Sequence, residues 1–104
     1  MIKICLKYNK ELIESINISG HANFDIYGKD IVCASVSSIV ITSINAIIRL
    51  DDKSIDYNEK DGINISVLSH NKITDTLIEN MVSLLKELEK QYEKNIIIKE
   101  VHSC

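Results

Sequence analysis

Two side chains could do chemistry together: His21 and Cys33, twelve positions apart in the stretch 20–39, GHANFDIYGKDIVCASVSSI. A thiolate is the nucleophile in cysteine catalysis, and an ordinary thiol is mostly protonated at neutral pH, so a site must favour the ionised sulfur. Three features of the stretch could do so. A helix beginning after Asp30 would place Cys33 near the positive end of its dipole, an adjacent His21 could hold the proton as imidazolium, and unpaired first-turn amides could receive a developing oxyanion. Asp30 opposes this if its charge faces the sulfur, and helps if it caps the helix or orients the imidazole. A structural reading competes. Free cysteine is among the most buried residue types, and a lone one near a helix start is commonly a small hydrophobe. Composition and spacing by themselves favour that structural reading.

The remaining candidates are weaker. Ser37 lies one turn beyond Cys33 and could face the same pocket, although serines in ASVSS ordinarily hydrogen-bond to the preceding turn. Cys5 sits on the charged face of its strand, Cys104 is terminal, and His70 and His102 have no ligand-like spacing. A metal site would need His21 and Cys33 to share an ion with further ligands, so no metal or cofactor is expected. YGKD is too poor in glycine for a phosphate loop.

The elements that must position these residues can be read from periodicity. Ile2, Ile4 and Leu6 alternate with Lys3, Cys5 and Lys7, a half-buried strand; a polar turn at 9–11 leads to a second strand over 12–19. Gly20 closes that strand and leaves His21 at its end. Residues 22–29 have no period and carry Asn23, Asp25 and Gly28, which predicts a loop. Asp30 is the expected N-cap of a helix over 31–50, with Cys33 at about the third helical position. Residues 31–48 carry no charge and are nominally long enough to span a membrane. Ser35, Ser37, Ser38, Thr42, Ser43 and Asn45 make a span too polar, so burial on several sides is expected, with a second helix or a second subunit covering what the sheet does not. Strands over about 54–59 and 63–69 join at Asp61-Gly62, a strong hairpin signal. Leu77, Ile78, Met81, Leu84, Leu85, Leu88 and Tyr92 recur at helical spacing from about Thr74, His70 falls in the loop before them, and NIIIKEV supplies a last short strand. The predicted fold is α+β: one domain over 1–104, with a mostly antiparallel sheet and two helices on one face, in the order strand-strand-helix-strand-strand-helix-strand.

Composition narrows the partners. The formal charge is −3, and the twelve basic residues are scattered among fifteen acids, which argues against nucleic-acid binding and suits a basic protein partner. Three cysteines in no paired spacing, and an N-terminus without a basic and then apolar leader, predict a cytoplasmic protein with free thiols and no membrane attachment.

Taken together, SGHA, YGKDIVCA, VS, NAIIRL and MVSLLKELEKQYEKNI resemble the bacterial ribosomal-processing cysteine protease family (Prp) over nearly the whole chain. The resemblance implies a Cys-His endopeptidase that removes an N-terminal extension from protein twenty-seven of the large ribosomal subunit, cutting after an aromatic residue and before a small one. It puts the catalytic cysteine at Cys33 and the catalytic histidine at His21, the aspartate of its DIVCA block at Asp30 and its loop glycine at Gly28, and it implies a homodimer. The loop 22–29, with Ala22, Asn23, Phe24 and Gly28, is then the expected lid over an extended peptide. Two positions depart from the pattern: Asn23 stands where glycine or aspartate is expected, and Ser35 where alanine or glycine is common. The alternative is a non-enzymatic module that binds a ribosomal or other protein through the loop and helix start.

Overall fold

The computed structural model describes residues 1–20 and 31–103. Strand β1 (Ile2–Asn9) turns through Lys10 and Glu11 into β2 (Leu12–Ser19), and helix α1 (Ile31–Leu50) follows. A second hairpin, β3 (Ile55–Asn58) and β4 (Ile63–Val67), precedes helix α2 (Lys72–Gln91), and β5 (Ile96–Ser103) follows it. The expected order holds throughout. The N-cap assigned to Asp30 and the loop 22–29 lie outside the described residues.

The sheet order is β3-β4-β2-β1-β5. All neighbours are antiparallel except β1 and β5, which run parallel from Ile2 opposite Ile96 to Asn9 opposite Ser103. The expected final short strand is therefore eight residues long and flanks the first one. A bulge between Lys7 and Tyr8 lets Glu14 fall between the partners Ser15 and Ile13. Alternation decides which face is covered. Ile2, Ile4 and Leu6 are buried under the helices, whereas Lys3, Cys5 and Lys7 are exposed on the bare face.

Helix α1 is long and apolar enough to cross a membrane by length and composition. Its Val32, Val36, Val40, Ile44 and Ile47 are instead buried in a core shared with β1, β2, β4, Ile78, Met81, Val82 and Leu85. The expected second helix is there, since α2 packs on α1, but one side of α1 stays uncovered by the described chain: Ile31, Ile41, Ile48 and Leu50 are exposed. Helix α2 starts at Lys72, two residues before the expected Thr74, because the Asn71 side chain caps it by accepting a hydrogen bond from the Thr74 amide at 2.9 Å. His70 lies in the preceding loop as expected, and its Nδ1 is 2.8 Å from the Asp75 carboxylate.

Candidate active site

Cys33 is the third residue of α1, where the first-turn amides have no partners within the helix. The thiol is half-buried and, like that of Cys5, forms no disulfide. It opens onto a cleft of about 390 Å³ between the start of α1 and one end of the sheet. Ile2, Ile18, Val36 and Ile63 give the cleft apolar walls, and Ser37, one helical turn from Cys33, lines it too. Ser35, by contrast, spends its hydroxyl on the Ile31 carbonyl at 2.6 Å, the back-bond expected of a helical serine.

Two glycines at the rim hold the strand ends together. Gly20 and Gly62 have φ of +84° and +80°, a region that disfavours side chains. A Cβ on Gly20 would collide with the Met1 carbonyl, and one on Gly62 with the Ile18 carbonyl. The β3–β4 turn can therefore lie against the end of β2 and close the cleft opposite Cys33. Gly62 and Ile63 were missed as site residues by sequence reasoning; the Asp61-Gly62 pair marked the turn, but only the sheet order brings it to the thiol.

His21, Ala22, Asn23, Phe24, Gly28 and Asp30 lie outside the described residues, so of the sequence-derived candidates the described structure brings together Cys33 and Ser37. Gly20, one residue before His21, lines the Cys33 cleft. A larger recess, about 490 Å³, lies at the far end of the first hairpin between Tyr8, Ile13 and α2. Its walls carry Glu and Lys side chains but no cysteine or histidine, whereas the smaller cleft holds Cys33. Among the described residues no group of three His, Cys, Asp or Glu could hold a metal ion.

A thiol in the first turn of a helix, on an apolar-walled cleft at the end of a five-stranded mixed sheet, is an arrangement that a small α+β cysteine hydrolase could use. Comparison with known proteins gives the family. Residues 1–97 match the model described as Cysteine protease Prp, and the chain belongs to that family. It is 34% identical over 101 residues, covering 92% of this chain and 95% of the relative, to the ribosomal processing cysteine protease Prp of Staphylococcus aureus. The Bacillus subtilis protein of that name is 32% identical over 93 residues, covering 81% and 82%. The crystal structure of the S. aureus protease with a covalently linked product peptide superposes with a TM-score of 0.89 at 30% identity, covering 96% of this chain and 99% of that one. Family membership makes the chain a cysteine protease and displaces the reading of a non-enzymatic module.

Proposed function

We propose that this chain is an endopeptidase that trims a ribosomal protein precursor, with Cys33 as nucleophile and His21 as its base. The observation that carries the reading is the position of Cys33: third in α1, half-buried, on a cleft with apolar walls. The sulfur attacks the scissile carbonyl, amides at the helix start stabilise the oxyanion, and His21 first holds the thiol proton and then delivers it to the leaving amine. Asp30 caps α1 or orients the imidazole. Residues 22–29, including Ala22, Asn23, Phe24 and Gly28, close over the extended peptide. The cleft walls suit an apolar substrate side chain, with Ser37 at the polar edge. The substrate that the family resemblance implies is the N-terminal extension of protein twenty-seven of the large ribosomal subunit, and its relatives' names tie them to ribosomal processing.

Incubation with the precursor peptide tests this. Cys33→Ala should show no cleavage above background, and His21→Ala should lose about 10²–10⁴-fold in rate. Retained cleavage by Cys33→Ala would overturn the assignment, and an unchanged rate for His21→Ala would remove it from the dyad. A second readout is alkylation against pH: Cys33 should react well below the pH of about 8.5 at which an ordinary thiol ionises, and the fast-reacting site should be lost in Cys33→Ala.

The chain is also proposed to be a homodimer, joined through α1. Ile31, Ala34, Ser38, Ile41, Asn45 and Ile48 are all exposed, carry no charge, and recur at alternating spacings of three and four. That is the spacing of a ridge able to pack against another helix.

A further inference from the structure

The bare face of the sheet collects positive charge that is dispersed in the sequence. Lys3 and Lys7 flank Cys5 on β1, and the parallel pairing sets Lys99 of β5 directly opposite Cys5. All three lysines are exposed, and among the described residues none joins an ion pair. Strand geometry puts Lys3 and Lys7 about 13 Å apart, with Lys99 one strand spacing, about 4.8 Å, to the side of the line between them. Acids are remote or unengaged. Asp56 lies in the same row as Lys7 but three strands away, behind Ser15 and Ser66, roughly 14 Å by strand spacing. Glu14, the extra residue of the bulge, forms no ion pair among the described residues.

Beside the basic half, the face is neutral and hydrogen-bonding. Asn17 Nδ2 donates to Asn64 Oδ1 at 2.6 Å, and Asn64 Nδ2 donates to Asn58 Oδ1 at 3.2 Å, an amide ladder across three strands. On a chain of net charge −3, a cationic strip bordered on its β2 side by amides and hydroxyls, and interleaved on its β5 side with Ile97 and Val101, complements a polyanion that also offers hydroxyl groups. We infer that this face docks the phosphate backbone of a structured RNA. The register-paired side chains of the face include no aromatic ring to stack on bases, so the contact is to backbone and 2′-hydroxyls and does not depend on base sequence. Sequence reading excluded nucleic acid because the lysines are scattered along the chain; the pairing of the first and last strands gathers them. The inference is independent of the cysteine chemistry, which lies on the helix-covered side.

The test uses the full chain and a fluorescent RNA hairpin, with binding read by anisotropy across a salt series. Replacing Lys3, Lys7 and Lys99 together by Gln should weaken binding at least about tenfold at low salt and reduce the slope of log K against log salt by roughly 2–3. Lys53, Lys60 and Lys94→Gln, an equal change of net charge off this face, should leave both nearly unchanged, and Arg at positions 3, 7 and 99 should preserve binding. Cleavage of a free peptide should be the same in every variant, which also reports that each has folded. In the wild-type chain, bound RNA should slow alkylation of Cys5, measured separately from Cys33 by mass spectrometry. The inference is overturned if the wild type does not bind RNA, if both triple variants lose affinity equally, or if RNA binds without protecting Cys5. Binding of an acidic peptide but not of RNA would overturn it equally.

Discussion

Backbone conformation at single residues sets the turns that frame the cleft. Gly62 combines a positive φ with a Cβ position already filled by the Ile18 carbonyl, so Gly62→Ala carries both conformational strain and a clash. It should cost upwards of about 1–2 kcal/mol in denaturant unfolding and raise KM for peptide by displacing the turn that walls the cleft. Lys10 is the opposite case. It takes φ of 60° in the two-residue turn between β1 and β2, where glycine is at ease and lysine is not. Lys10→Gly should therefore raise stability by about 0.5–1 kcal/mol, less whatever freedom glycine adds to the unfolded chain. The thiol itself was legible at this scale: a cysteine three residues beyond an aspartate, at the head of an uncharged run, announces a helix-start sulfur. The wall facing it was not, because Gly62 reaches Cys33 only through the pairing of β4 with β2, which no local pattern encodes.

Helix α2 shows how caps and buried hydroxyls trade off within an element. Asn71 satisfies the Thr74 amide, so Asn71→Ala should destabilise by about 1 kcal/mol, read as a lower Tm. The Thr74 hydroxyl, fully buried, has no hydrogen-bond partner among the described residues, so Thr74→Val should be neutral or stabilising by up to about 1 kcal/mol. Where α2 meets β5, Lys86 donates to Glu100 at 3.1 Å and Tyr8 donates to the same oxygen at 3.2 Å. Lys86 chiefly, with help from Tyr8, holds the Glu100 carboxyl below the usual glutamate range, and Glu100 holds the Lys86 ammonium above its own. A depressed acid stabilises the fold above its unfolded pKa and loses that contribution as pH falls through the folded value. Glu100→Gln should accordingly lower Tm slightly at neutral pH and match the wild type in acid, a difference of about 0.2–1 kcal/mol because the pair is exposed. Element order was readable from periods of two and 3.6 residues. The start of α2 was misplaced by two residues because the apolar spacing begins later than the Asn71 cap does.

For the whole molecule, the proposed dimer predicts that Ile41→Lys, in the middle of the exposed α1 ridge, yields a monomer in sedimentation, whereas Leu68→Lys, exposed elsewhere, leaves the mass unchanged. The pairing of β1 with β5 has a consequence for time rather than space. These strands are separated by nearly the full length of the chain, yet Ile2 lies opposite Ile96 and also forms a wall of the cleft that holds Cys33. Closing so long a loop precedes the contacts that reward it, so this step belongs late in folding. During synthesis, β1 must wait with one side unpaired until both helices and the other three strands have been made. A nascent chain still lacking β5 leaves Ile2, and the cleft wall it forms, without its neighbouring strand.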